Sequence, residues 1–424
     1  MIKNFLISSV LTGIVTGIMI VIYSFLTKYL SYILFFGDPV QSIMYLPVWH
    51  IYLVPFVSIL IINYMIRKNE KVREYGVAEI AKAVEENKIT YTLKDLFCKI
   101  FASSLSIASG FAVGNEGPSA AIGAMIAQKF HTMLNLPKNL LKVSLSIGAS
   151  SGIAAVFVSP ITGIMFAIEN VAYEFVKNFA GYLILAGVIA FSVSWYFMEP
   201  LIFNYSTGKF IEYRYVFATL LFIPVITFFI YFYLSLKDIV LKFLREKLPN
   251  SGKNIVMAVI GSLIIGTILI ISPYAAFSGH EVVKTLINDT GHFPLYMIFI
   301  LIVLRIIATS VSLYANAVGG VFIALMSIGA LVGYGFGESV TYFGFKVEPF
   351  YFAAIGAAVF MGVNMKLPLT AVVLALETTY DYNVIIPTGI SVVIVTYLTT
   401  LKFDLKKLNF MTYNKKQSNF SSET

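Results

Sequence analysis

The chain has 424 residues, of which 58% are hydrophobic and only 12% charged, with a formal net charge of +8 and a mean hydropathy of +0.84. A soluble globular domain carries about 25% charged residues, so this composition excludes an ordinary soluble fold and points to a protein that crosses the membrane many times. With a single cysteine, Cys98, no internal disulfide or cysteine metal cluster can form, and the four histidines (His50, His131, His280, His292) lack ligand spacing, so neither a metal nor a cofactor is expected.

Taken in chain order, Lys3 and the apolar stretch after it have the outline of a secretory signal. The stretch is too long and lacks a small-residue cleavage site, so it reads as the first membrane helix. Uncharged runs from Phe5 to Thr27, Asn178 to Met198, Tyr215 to Leu236, Asn254 to Gly279, Ile306 to Gly337 and Tyr382 to Leu401 are each long enough to span, since roughly 20 residues cross the hydrocarbon. Shorter runs such as Tyr351 to Met365, interrupted by Gly and Pro, predict helices that end inside the membrane, which is tolerated only where they line a cavity.

Basic residues cluster at Arg67, Lys68, Lys71 and Arg73, in a mid-chain loop holding Lys237, Lys242, Arg245, Lys247 and Lys253, and in the tail at Lys402, Lys406, Lys407, Lys415 and Lys416. The loop from Phe35 to His50 contains Asp38 and no Lys or Arg. The positive-inside rule then places both termini and the basic clusters in the cytoplasm and the Phe35 to His50 loop outside. The positive balance is a topology signal, so the bilayer is the expected partner and nucleic acid is not.

The stretch that organises the chain is Gly114-Asn115-Glu116-Gly117-Pro118, set between the uncharged segments Ile100 to Val113 and Ser119 to Gln128. Glu116 therefore lies at a break between two apolar helices, and an ionisable residue at membrane depth is a functional-site candidate when it faces a cavity or a partner. The glycines permit the bend and Pro118 suits the first turn of the following helix. Glu116 would hang at a helix N-terminus, where exposed N–H groups and the dipole attract negative charge, and an anion would be held there equally well.

The chain is a duplicated unit. Ile147-Gly148-Ala149, Pro160-Ile161-Thr162, Ala167 and Glu169 recur 208 positions later as Ile355-Gly356-Ala357, Pro368-Leu369-Thr370, Ala375 and Glu377, and Ile122-Gly123-Ala124 recurs 206 positions later as Ile328-Gly329-Ala330. Shared membrane-helix composition explains Gly and Ala matches but not the paired Pro and Glu. The core of the first repeat is placed at 75–175 and that of the second at 305–401, within one transport domain of residues 1–424 ending in a short basic tail, 402–424. Repeats of this kind put the working site near the midplane, between the halves, among broken helices. The counterpart of the Glu116 stretch is Val318-Gly319-Gly320-Val321-Phe322, a Gly-opened helix start without an acid.

Gly329, Gly333 and Gly337 recur every four residues and read as a close-packing helix face. No strand precedes them, so a nucleotide-binding reading fails. Lys99, Arg305 and Lys366 fall beside or inside apolar segments, and together they give the interior a positive potential suited to an anion cargo. Lys99 is the one for which snorkelling to the interface is an equal alternative, and Lys366 the hardest to dismiss. Glu169 and Glu377, equivalent in the two halves, read as partners for helix N-termini rather than as a proton path.

These residues resemble the CLC family of chloride channels and anion/proton antiporters. Gly114-Asn115-Glu116-Gly117-Pro118 is similar to that family's Gly-Arg-Glu-Gly-Pro, Gly319-Gly320-Val321-Phe322-Ile323-Ala324 to its Gly-Gly-Ile-Phe-Ala-Pro, and Lys366-Leu367-Pro368-Leu369-Thr370 through Glu377 to its Arg-Ala-Pro-Leu-Thr-Gly segment ending in Glu. Glu74-Tyr75-Gly76-Val77-Ala78-Glu79-Ile80 more loosely resembles Gly-Ser-Gly-Ile-Pro-Glu-Ile. The matches run in family order from about Tyr75 to Pro387.

The resemblance implies an all-α polytopic fold of two inverted repeats with broken and re-entrant helices, no soluble regulatory domain, and a homodimer in which each subunit has its own anion path. It assigns Glu116 the role of external gate, ionised when it competes for the anion site and protonated when it swings away. It places the anion among Tyr75, Gly76, Val77, Asn115, Gly117, Val321 and Phe322. Four departures from the family pattern bear on specificity. Asn115 stands where most members have Arg, a form that resembles the fluoride-exporting branch. Asn170 stands where chloride/proton exchangers have an inner proton-transfer glutamate, and Tyr75 replaces a serine that donates to the anion. The family's anion-binding tyrosine near the C-terminus has only a loose counterpart in Tyr413.

The expected function is therefore halide/proton antiport, fluoride set ahead of chloride, across the plasma membrane of a prokaryote. A passive chloride channel on the same scaffold is the alternative. A membrane-embedded enzyme is not expected, for want of a nucleophile with its base or of metal ligands.

Overall fold

The computed structural model of the chain describes residues 2–73, 91–169, 176–200, 213–246, 253–287, 293–344 and 347–400. It is helical throughout these residues: α1 (Ile2–Leu34), α2 (Val48–Lys68), α3 (Leu93–Ala108), α4 (Glu116–Met133), α5 (Leu141–Phe157), α6 (Pro160–Ala167), α7 (Val176–Phe197), α8 (Tyr213–Glu246), α9 (Lys253–Ile271), α10 (His280–Ile287), α11 (Leu295–Tyr314), α12 (Phe322–Tyr342), α13 (Pro349–Met365), α14 (Pro368–Thr379) and α15 (385–400). Eight described segments are long and apolar enough to cross a membrane. The protein is an integral, multi-pass membrane protein, and the all-helical expectation holds among the described residues.

Three expectations about segment boundaries change. The uncharged run from Ile306 to Gly337 is two helices, because α11 stops at Tyr314 and α12 starts at Phe322. The run from Asn254 to Gly279 likewise ends its helix at Ile271, after which the chain turns through residues 272–279. Lys237, Lys242 and Arg245 belong to the last turns of α8 rather than to a loop. The apolar pattern reports burial in lipid or protein, and it continues through irregular backbone whenever that backbone is enclosed by other helices.

Local sequence explains the helix ends that matter. Thr92 and Asp95 form a capping box at the start of α3: the Thr92 hydroxyl accepts from Asp95 N–H (3.2 Å) and the Asp95 carboxylate from Thr92 N–H (2.9 Å). The equivalent helices α5 and α13 both end on a residue in the left-handed conformation, Val158 (φ 52°) and Lys366 (φ 60°), each followed two residues later by the proline that opens the next helix.

The duplication is visible in the packing. α4 lies against α5 and α12 against α13. In each pair the backbones meet at glycine on both sides, Gly123 with Gly148 and Gly329 with Gly356, where a Cβ on either residue would run into the facing carbonyl. Gly333 and Gly337 extend the second contact along α12, as the every-fourth-residue pattern predicts.

The two halves also cap one another. The Glu377 carboxylate, on α14, accepts from the N–H groups of Ile161 (3.0 Å) and Thr162 (2.7 Å) and from the hydroxyls of Thr162 (2.7 Å) and Ser159, at the start of α6. The Glu169 carboxylate, just beyond α6, accepts from Leu369 N–H (2.7 Å), Thr370 N–H (2.7 Å) and the Thr370 hydroxyl (2.6 Å), at the start of α14. Each half thus supplies the anionic cap for a helix of the other, which is the structural role anticipated for this glutamate pair.

Candidate anion site

The site is built where the two broken helix pairs meet. α3 ends at Ala108, and the chain runs through Gly110 (φ 100°) to Gly114 before α4 begins at Glu116. In the other half α11 ends at Tyr314, and the chain passes Asn316 (φ 66°) and Gly320 before α12 begins at Phe322. Gly110 and Asn316 are equivalents, 206 positions apart, and so are Gly114 and Gly320.

Gly114 and Gly320 pair as an isolated antiparallel bridge, with Gly114 N–H donating to Gly320 carbonyl (2.6 Å) and Gly320 N–H to Gly114 carbonyl (2.7 Å). Two further bonds flank it symmetrically. The Ser312 hydroxyl accepts from Ala112 N–H (2.9 Å) and the Ser106 hydroxyl from Val318 N–H (2.8 Å). Two backbone bonds and two bonds from backbone to serine thus fasten the α3–α4 break to the α11–α12 break, and the start of α4 is held beside the start of α12.

The first N–H groups of a helix have no intrahelical acceptor, so this junction presents two sets of donors and two positive dipole ends to one place. The Glu116 carboxylate occupies it. Glu116 is 1% exposed, and neither carboxylate oxygen has a hydrogen-bond partner. The side chain folds over Gly114 and Gly320 against Ile323, so that a Cβ on Gly114 would strike the carboxylate. The backbone N–H groups nearest to it are its own and that of Ile323, one from each half.

Four other expected residues, Asn115, Gly117, Val321 and Phe322, lie at the starts of α4 and α12. Asn115 is the residue before α4, makes no capping bond, and leaves its side-chain oxygen without a partner. The backbone nitrogen of Gly117 lies beside Gly320. Val321 is half-buried at the residue before α12, and Phe322 is buried and packed on Phe157 of α5 (ring centroids 4.7 Å) and Phe166 of α6 (6.4 Å). Tyr75, Gly76 and Val77, with the rest of the Glu74 to Ile80 motif, lie outside the described residues, as do Asn170, Tyr413 and the tail 402–424.

The cations divide in an unexpected way. Lys99 does not snorkel: it is 2% exposed and donates to the Val72 carbonyl (2.9 Å). Arg305 is 0% exposed and donates to the carbonyls of Tyr274 (3.1 Å), Ala276 (3.0 Å) and Ser278 (3.1 Å). Lys99 and Arg305 are equivalents 206 apart, and so are the carbonyls of Val72 and Ser278 that they bind. Each half therefore buries one cation at the same point of its fold, with a backbone carbonyl among its partners. Lys366, by contrast, is exposed at the corner between α13 and α14, beside an apolar segment rather than inside one, so of the three cations it is the one not buried in the interior. Its position after the last turn of α13, in a conformation that ends the helix, turns the side chain outward.

Sequence reasoning missed Ser106, Ser312, Phe157 and Phe166. The serine pair carried a signal, since it obeys the same 206-residue spacing as the glycines it supports. The phenylalanines carried none, because a buried aromatic residue in an apolar helix looks the same wherever it points. Among the described residues no group of three or more His, Cys, Asp or Glu side chains is placed to hold a metal ion.

Comparison with known proteins agrees with this architecture. The H(+)/Cl(−) exchange transporter ClcA of Salmonella paratyphi B is 26% identical over 333 residues, covering 74% of this chain and 67% of the relative. The structure of a slow cyanobacterial Cl−/H+ antiporter superposes with a TM-score of 0.80 at 19% identity, over 96% of this chain and 99% of that one. A CLC-type fluoride/proton antiporter gives 0.77 at 17% identity, over 94% and 95%. A sequence profile of the voltage gated chloride channels matches residues 56–400, most of the chain, and with it the fold. This protein belongs to the voltage gated chloride channel family, the CLC family.

Proposed function

We propose that the protein exchanges a halide anion for protons across the membrane, with the Glu116 carboxylate as a gate that competes with the anion for one site. The observation that carries this reading is a buried carboxylate without hydrogen-bond partners, seated where the starts of α4 and α12 meet. A carboxylate and a halide cannot occupy the same donors, because like charges at contact repel strongly in a poorly screened interior. Protonation removes the charge that holds the side chain there, and the site becomes free for the anion. Anion and proton movements are then coupled through a single side chain.

The buried cations Lys99 and Arg305 support an anionic cargo, because each keeps a positive charge within the fold. Fluoride is set ahead of chloride on Asn115, the residue before α4, whose side-chain NH2 group is a compact donor for a strongly hydrated ion. The exchange transporters among its relatives favour transport over enzymatic chemistry, and they favour proton coupling over passive flow. Asn170 stands in the sequence where chloride/proton exchangers carry an inner proton-transfer glutamate, which the fluoride-exporting branch also lacks, so a proton route through that position is not part of this reading. We further propose a homodimer with one anion path per subunit and cytoplasmic termini in the plasma membrane of a prokaryote.

Purified protein in liposomes tests this reading. An inward proton gradient is expected to drive fluoride, and more weakly chloride, against its own gradient, read with ion-selective electrodes. Anion flux that only dissipates the anion gradient, whatever the proton gradient, would favour the channel.

A further inference from the structure

Tyr23 lies in α1, which packs on both α3 and α4, the helices that lead into and out of the Glu116 break. It is 0% exposed, and its hydroxyl has no hydrogen-bond partner. Ser103 of α3 lies beside that hydroxyl, and Glu116 is within electrostatic reach of it. A phenol in such a place is costly, because burial removes water and the neighbouring Ser103 hydroxyl is already turned to the Lys99 carbonyl (2.7 Å). Phenylalanine would fill the same space without that cost. The Glu116 carboxylate shows the same deficit in the same region, with both oxygens unbonded.

The two groups are chemically complementary. A phenolic hydroxyl donates to an ionised carboxylate and accepts from a protonated one, so it serves a carboxyl group in either state. The seam around it is also polar. The Thr27 hydroxyl, four residues along the same face of α1, donates to the Tyr23 carbonyl (2.9 Å) and lies within hydrogen-bond distance of the Ser104 hydroxyl (3.0 Å), and Ser103 and Ser104 are both fully buried. The space between α1 and α3 therefore offers hydroxyl groups that a carboxyl group can use.

We propose that the Tyr23 hydroxyl is the hydrogen-bond partner that receives the Glu116 carboxyl group when it leaves the anion site. This inference rests on the reading of Glu116 as the gate. Tyr23 touches no anion. It acts through Glu116, stabilising the displaced side chain and so raising the fraction of protein whose site is open, and apparent anion affinity scales with that fraction.

The test is Tyr23→Phe in reconstituted protein, with fluoride and chloride as the ions and both anion and proton fluxes recorded. Losing one hydrogen bond to the displaced carboxyl is expected to raise the anion KM roughly five- to tenfold, while the proton-to-anion ratio is unchanged. The same substitution made in a Glu116→Ala protein is expected to leave KM unaltered, because the group Tyr23 serves is gone. A KM within twofold of the parent protein overturns the proposal, and so does an equal effect with and without Glu116, which marks a structural role. If Glu116→Ala alone leaves proton coupling intact, the gate reading itself has failed, and that result is distinct from a silent Tyr23→Phe.

Discussion

The cross-capping carboxylates give a prediction whose size follows from the bonds. Glu377→Ala removes the acceptor for four donors at the start of α6, two of them backbone N–H groups. Ser159 and Thr162 are buried, so their donors have no water to turn to. A bond to a charged group contributes about 1.5–3 kcal/mol, and bonds sharing one acceptor are not additive, so the expected loss is roughly 3 kcal/mol or more. Glu377→Gln keeps one acceptor oxygen and is expected to lose roughly half as much. Glu169→Ala loses three donors at the start of α14 and is expected to resemble Glu377→Ala. Glu348, exposed at the start of α13 with no side-chain cap bond, is the control, and Glu348→Ala is expected within about 0.5 kcal/mol of the parent. The assay is the midpoint of heat-induced loss of monodisperse protein in detergent, with the exchange ratio measured on the same preparations. Equal midpoints for Glu377→Ala and Glu348→Ala would refute the capping argument, and a lost exchange ratio at unchanged stability would place Glu377 on a proton route.

Ser312→Ala and Ser106→Ala each leave a buried backbone N–H without its acceptor, a change of about 1–3 kcal/mol. By the symmetry of the junction both are expected to weaken anion binding, read as a raised KM with the exchange ratio retained. Two lysine substitutions that remove the same charge are expected to differ: Lys99→Met loses a buried cation and slows anion transport severalfold, whereas Lys366→Met, at an exposed corner, leaves transport near the parent rate. Equal effects of the two would show that burial does not decide which cation the anion senses.

Much of the junction was legible because its chemistry is expensive in a membrane. Glu116 stood out as a carboxylate between glycines in an apolar run, and the structure buries it at the helix start expected for it. Glu169 and Glu377 stood out by repetition, and their reciprocal capping is what a duplicated acid opposite a duplicated proline was expected to do. Burial of the cations was not legible. Lys99 and Lys366 sit in similar sequence surroundings, yet one turns inward to the Val72 carbonyl and the other outward at a helix corner. What separated them was the 206-residue spacing from Lys99 to Arg305, together with the helix-ending conformation of Lys366. The breaks inside Ile306 to Gly337 and Asn254 to Gly279 were hidden for a related reason, since enclosed loop and helix are equally apolar.

The account depends on Glu116 and a transported anion being alternative occupants of one site. Proton flux measured alongside anion flux in liposomes, for the parent protein and for Glu116→Gln, addresses this most directly. The parent is expected to move both ions together, and Glu116→Gln, which has no titrating carboxylate at the junction, is expected to pass the anion with no accompanying proton. Proton movement in Glu116→Gln at the parent rate would contradict the account.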